Sequence, residues 1–176
     1  MRIRRSWRST VTGTIGLFGL ALLTLSPATV VLGWHELNQR KVRAEAERHH
    51  LGVTVRDGPV AFVVHDVTCG EDKLGRRRAL GHFCLVTLSA RNEGEKPLEV
   101  QEAAQRAHGA TGARYIPDRR ATKRANPEGN PFGTLEPGED LTGVVAFDVP
   151  PAIGITHVEV HAGVYTHGVP VAVTLR

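Results

Sequence analysis

The two cysteines are the residues whose chemistry is easiest to interpret. Cys69 and Cys84 are the only cysteines in the 176-residue chain. In an extracytoplasmic domain such a pair is typical of one disulfide, which closes a loop of about 15 residues and stabilises the fold by roughly 3 kcal/mol. Two unrelated buried thiols are one alternative. A metal site completed by His65 and His82 is another, although the spacing matches no standard zinc finger.

A second group of candidate ligands lies on one predicted strand. His157, Glu159 and His161 alternate along the chain, so an extended backbone places all three on one face. Side chains two residues apart on a strand are separated by about 7 Å, which is wider than neighbouring ligands of one ion prefer. The pattern favours a polar, solvent-facing surface and predicts no metal. A metal-dependent enzyme that uses these three residues is the alternative.

Clustered basic residues form the third candidate site. They could bind an anionic polymer or a lipid headgroup, although solvated loops account for the same pattern. They occupy two segments: Arg76, Arg77 and Arg78 in the first, and Arg114, Arg119, Arg120, Lys123 and Arg124 in the second.

Motifs of catalysis are missing from the sequence. Ser89 is the only serine after residue 52, and no nucleophile-elbow motif surrounds it. Neither a phosphate-binding loop nor a dinucleotide fingerprint occurs. We therefore expect no enzymatic activity and no cofactor.

The N-terminal segment predicts a membrane anchor. Residues 10–34 carry no charge, and as a helix they would span about 37 Å, against about 30 Å for a hydrocarbon core. Four arginines within residues 1–9 favour a cytoplasmic tail and an external domain, and residues 35–52 predict a helical stalk. The alternative is a signal peptide cleaved after Ala28, which would release a secreted protein.

The charge distribution argues against nucleic-acid binding. The 22 basic and 18 acidic residues give a net charge of +4. Residues 1–52 contribute 8 basic and 3 acidic residues, or +5, whereas residues 53–176 contribute 14 and 15, or −1. The excess charge lies beside the predicted membrane span and not on the folded domain.

Residues 53–176 predict an all-β fold. Short β-branched runs separated by turns favour an antiparallel β-sandwich. In residues 141–149 the odd-numbered positions are expected to face the core, with Ala146 facing outward. No long amphipathic helix intervenes, so an α/β fold is disfavoured. The predicted strands are residues 53–56, 60–69, 83–91, 98–101, 114–116, 141–149, 156–160 and 169–175.

Several segments of this domain resemble a known family. They are VRDG at 55–58, FCLVTL at 83–88, RNEG at 91–94, LEPG at 135–138 and TGVVAFDVP at 142–150. In order and spacing they are similar to a telokin-like, immunoglobulin-type domain of unknown function. This domain occurs in actinobacterial membrane proteins and lipoproteins and is related to a secreted mycobacterial antigen. The resemblance implies an extracytoplasmic immunoglobulin-like sandwich with a bridged cysteine pair and no established catalytic residue.

These observations lead to one expectation about function. We expect a membrane-anchored, extracytoplasmic module that binds or scaffolds an envelope protein or an anionic polymer, without catalysis. A secreted form is the alternative.

Overall fold

The computed structural model describes residues 40–41, 49–151 and 153–173. Residues 40 and 41 are helical, and the described residues from 49 onward form ten strands, one short α-helix and one turn of 3₁₀-helix at Glu102–Ala104. The helix, α1, is Arg119–Ala125. The strands are β1 Thr54–Asp57, β2 Val60–Leu74, β3 Arg77–Asn92, β4 Leu98–Val100, β5 Arg106–Gly109, β6 Arg114–Tyr115, β7 Gly133–Leu135, β8 Asp140–Val149, β9 Ile155–Val160 and β10 Val169–Ala172.

The strands form two four-stranded sheets and a small two-stranded one. The first sheet has the order β1-β2-β3-β8, the second has the order β10-β9-β5-β6, and β4 pairs with β7. Every pairing between these strands is antiparallel. The prediction of an all-β antiparallel sandwich is therefore confirmed.

One apolar core joins the two sheets. Phe62, Leu88 and Phe147 of the first sheet and Val158 and Val160 of the second are fully buried in one cluster. The alternation expected in β8 is confirmed, because all its odd-numbered residues from Leu141 to Val149 are buried. Burial of such side chains is the main force that holds the sheets together.

Ala146 of β8 departs from the expected pattern. It was expected to face outward, but it is fully buried with Phe83 and Ala121 in a second, smaller cluster. The reason is α1, which lies against the outer face of the first sheet and covers this part of it. The sequence did not reveal this helix because its seven residues are too few to display a helical apolar period.

The β2–β3 hairpin is longer than predicted. The expected strands ended at Cys69 and resumed at Phe83, whereas the two strands continue to Leu74 and Arg77. Side chains in this extension are mostly exposed or half-buried on both faces. The extension leaves the sandwich, so no alternation of apolar and polar residues marks it in the sequence.

Most of the predicted N-terminal features lie outside the described residues. This holds for the tail at 1–9, the membrane span at 10–34 and most of the stalk at 35–52. Within the ranges that the structure describes, no helix is both long and apolar enough to span a bilayer. The last stalk residues contact the sandwich: the carbonyl oxygen of His49 accepts a hydrogen bond from the Ala172 amide at 2.7 Å, and Gly52 donates to Val64 at 2.8 Å.

Candidate functional site

The predicted disulfide is present and lies at the base of the extended hairpin. Cys69 and Cys84 face each other directly across β2 and β3 and are bonded. Beyond them, residues 70–83 form what we call the hairpin arm, which turns at Gly75 with a φ of 58°. Glycine suits this turn because the left-handed region strains other residues. The disulfide fixes the pairing of the two strands from which the arm extends.

Of the two histidines considered as metal ligands, His82 lies beside the cysteines and His65 does not. His82, Cys69 and Cys84 have ligand atoms within 4.8 Å of one another, and no other described group of three does so. His65 is instead hydrogen-bonded to Ser89. Because the two sulfur atoms are bonded to each other, neither is a thiolate that could bind a metal.

Helix α1 is attached to the first sheet through its buried side. Ala121 and Thr122 are buried, and the Thr122 hydroxyl accepts a hydrogen bond from the Ala146 amide at 3.1 Å. Asp118, the residue before the first residue of α1, donates a hydrogen bond from its amide to the Ala146 carbonyl oxygen at 2.8 Å. These contacts fix the helix beside the hairpin arm.

Asp118 connects α1 to the hairpin arm directly. Its Oδ1 atom caps the helix by accepting from the Ala121 amide at 2.9 Å, and its Oδ2 atom accepts from Arg77 Nε at 2.8 Å. Burial by itself would raise the pKa of Asp118, but the hydrogen bonds from Arg77 and Ala121 outweigh it and lower the pKa below its ordinary value. The carboxylate is therefore charged at neutral pH.

Between the arm and α1 lies a cavity of about 650 Å³, which we call the cationic groove. Every side chain that lines it is basic: Arg76, Arg77, Arg78, Arg120, Lys123 and Arg124.

Helical spacing explains the half of the groove that α1 contributes. Arg120, Lys123 and Arg124 are at positions i, i+3 and i+4, so they share one face. A Cβ atom placed on Gly75 would lie 3.5 Å from Cδ of Arg124, which shows that this side chain reaches the turn of the arm. Of the six cations, Arg77 has an ion pair with Asp118, and no described carboxylate pairs with the other five.

Two of the eight basic candidates lie elsewhere. Arg119 extends toward Glu102, with 3.6 Å between Nε and Oε1. Arg114 lies on β6 opposite His108. The structure thus gathers six of the eight basic residues from two distant segments around one cavity and leaves these two outside it.

The groove has the electrostatics of an anion-binding site. Like charges at positions i and i+4 of a helix repel by about 0.2–0.5 kcal/mol, and the arm adds three further positive charges. A ligand with several negative groups would remove this repulsion. Guanidinium groups bind phosphate and carboxylate oxygens in bidentate fashion.

The histidine-rich strand is more buried than expected. His157 has 7% of its surface exposed, so the solvent-facing prediction is wrong for this residue. Its ring stacks on that of His108, directly opposite on β5, with 4.3 Å between centroids. A neighbouring strand covers the ring, which a single-strand pattern could not indicate.

Glu159 is held between two histidines. Its Oε2 atom lies 3.0 Å from His108 Nε2 and 3.5 Å from His161 Nε2. Burial alone would raise the pKa of Glu159, but the two imidazoles outweigh it and hold the pKa far below its ordinary value. The carboxylate is thus partnered by imidazoles, which gives this cluster a role in stability.

Sequence reasoning missed a contact between a serine and a histidine. His65 Nε2 lies 2.9 Å from Ser89 Oγ on the exposed side of the first sheet. A catalytic serine needs a base that is itself oriented by a third group. Among the described residues, Ser89 is the side chain hydrogen-bonded to His65, and the neighbouring Asp66 accepts a hydrogen bond from Thr68.

The β-domain matches a known protein family. Residues 49–171 match the family model for a domain of unknown function, DUF4352. The chain belongs to the DUF4352 family. The match begins where His49 joins the sandwich, so the DUF4352 domain and the described β-domain coincide. No match to the sequence is found among curated proteins.

Two solved structures share the fold of this DUF4352 domain. One is MPT63, a secreted protein from Mycobacterium tuberculosis, with a TM-score of 0.51 and 18% identity over 66% of this chain and 90% of that one. The other is the yjhA protein from Bacillus subtilis, with a TM-score of 0.50 and 16% identity over 64% and 81% of the two chains. At these identities the likeness concerns the fold alone, and it supports the immunoglobulin-like sandwich.

We predict that the disulfide contributes substantially to the stability of the domain. Replacing both cysteines, Cys69→Ser/Cys84→Ser, should lower the free energy of unfolding by roughly 3 kcal/mol, because the unfolded chain gains the freedom of a 15-residue loop. Urea unfolding followed by circular dichroism measures the change, and reduction of the wild type should reproduce it. Equal stability of the variant and the wild type would contradict the prediction.

The depressed pKa of Glu159 predicts a pH-dependent contribution to stability. A carboxyl group with a lowered folded-state pKa stabilises the fold above its unfolded value near 4.5, and this contribution is lost as pH falls below about 5. At pH 7, Glu159→Gln should cost on the order of 1–3 kcal/mol. The difference from wild type should shrink toward pH 3. The exposed Glu99→Gln serves as the control and should change stability little at any pH.

Proposed function

We propose that the chain is a membrane-tethered, extracytoplasmic, immunoglobulin-like module that holds a polyanionic component of the cell envelope in its cationic groove. It acts by binding and not by catalysis. The observation that carries the proposal is the cavity lined by six basic side chains and no acidic one.

The compartment is supported by two independent features. A disulfide persists in oxidising surroundings outside the cytoplasm. The uncharged segment at 10–34 has the length of an anchor. Four basic residues lie on each side of it, and the four N-terminal arginines lie closer to it, which favours an external position for the following domain. A sandwich next to a membrane surface meets anionic polymers and lipids as its nearest partners.

The groove concentrates charge that the domain as a whole lacks. Residues 53–176 have a net charge of −1, yet six positive charges surround one cavity. A solubility function would distribute the basic residues over the surface. Their convergence from the arm and from α1 favours a specific anionic ligand.

The proposal predicts that polyanion affinity depends on the groove and not on the number of basic residues. The full chain in zwitterionic nanodiscs should bind inorganic polyphosphate in calorimetric titration. Arg120→Ala/Lys123→Ala should weaken binding by at least about tenfold and flatten its dependence on salt, because counterion release scales with the number of contacts.

A matched variant provides the control for this titration. Arg114→Ala/Arg119→Ala also removes two positive charges, but from positions outside the groove. It should leave the affinity within about twofold of wild type. Equal losses in the two double variants would refute a localised site, and so would the absence of polyphosphate binding by the wild type.

The anchor predicts an intact N-terminus in native cells. Mass spectrometry of the membrane fraction should recover peptides from residues 1–34, because an uncleaved span retains them. A mature protein that begins at Thr29 would contradict the anchor and would favour the secreted form.

A further inference from the structure

Two exposed apolar side chains lie beside the basic residues of the arm. Leu80 is 97% exposed and Ile116 is 69% exposed. Leu80 lies within the hairpin arm, two residues after Arg78, and Ile116 lies two residues before Asp118, whose carboxylate binds Arg77 of the arm. A single exposed leucine is ordinary, but a second apolar side chain and a basic cluster in the same region call for an explanation.

The backbone around these two residues is fixed. Asp148 of β8 accepts hydrogen bonds from the amide of Leu80 at 2.8 Å and from that of Gly81 at 2.9 Å. Ile116 precedes Pro117, which forms an isolated bridge with Phe147 of β8. The exposed leucine and isoleucine therefore flank the end of one strand, on a rigid scaffold.

Exposed apolar side chains next to a basic cluster favour one class of anionic ligand over another. A soluble polyanion needs only the cations and leaves Leu80 and Ile116 unexplained. An anionic bilayer offers phosphates to the basic groups and, a few ångströms deeper, an apolar boundary that takes up leucine and isoleucine. The proposed tether adds to this, since it keeps the domain at high effective concentration next to that surface.

We infer that the hairpin arm and the cationic groove bind the surface of an anionic phospholipid bilayer, with Leu80 and Ile116 inserted at the level where the headgroups meet the acyl chains. The inference rests on the proposed function and names the ligand of the same site. The tether and the arm would then contact one membrane, and the domain would lie against it.

A fluorescent probe tests the insertion directly. Leu80→Cys, labelled with an environment-sensitive fluorophore, is prepared in the full chain and reconstituted in nanodiscs of phosphatidylcholine alone or with phosphatidylglycerol. Labelling at Tyr165→Cys is the control, because Tyr165 is 99% exposed on the loop between β9 and β10. In anionic discs we expect the probe at position 80 to shift to the blue and to be quenched by bilayer-embedded quenchers, while the probe at 165 keeps its aqueous spectrum.

The groove variants connect the signal to the proposed site. In the background of the labelled Leu80→Cys chain, Arg120→Ala/Lys123→Ala should abolish the blue shift, and Arg114→Ala/Arg119→Ala should retain it. If position 80 reports water in both kinds of disc while polyphosphate still binds the groove, the lipid inference is wrong and the proposed function stands. If polyphosphate binding also fails, both are wrong.

Discussion

The carboxylate of Asp118 is the interaction on which the arrangement of the candidate site depends. One of its oxygens caps α1 through the Ala121 amide, and the other binds Arg77 of the hairpin arm. Without this bridge, the three cations of the helix and the three of the arm would repel each other across the cavity. This carboxylate thus adds an ionic contact between the two basic surfaces to the apolar and backbone contacts that hold α1 on the sheet.

The sandwich and the site have different sources of stability. The core is formed by apolar residues of both sheets, whereas the hairpin arm extends beyond it and, apart from Phe83 at its base, is little buried. Cross-linking by Cys69 and Cys84 compensates for this at the base of the arm, and the contacts of α1 do so along one side. Exposed residues outside the core can vary without disturbing the fold.

The sequence was informative where periodicity and spacing decide the structure. Alternation in β8 predicted its buried face, and the cysteine count predicted the disulfide. The sequence was uninformative where residues from other elements determine whether a side chain is buried. Ala146 is buried because a seven-residue helix covers it, and His157 is buried because His108 stacks on it from another strand. The basic residues were recognisable by type, but only the folded chain separates the six around the cavity from Arg114 and Arg119. Their binding of an anion stays a prediction.

The most direct test of the central claim is a titration of arginine side chains by nuclear magnetic resonance. The full chain, labelled with ¹⁵N at arginine and held in zwitterionic nanodiscs, is followed at its Nε–Hε signals as short-chain polyphosphate is added. We predict saturable shifts of Arg76, Arg78, Arg120 and Arg124, with Arg114 and Arg119 unchanged. Uniform small shifts of all arginines, or shifts that do not saturate, would contradict a built anion site in the groove.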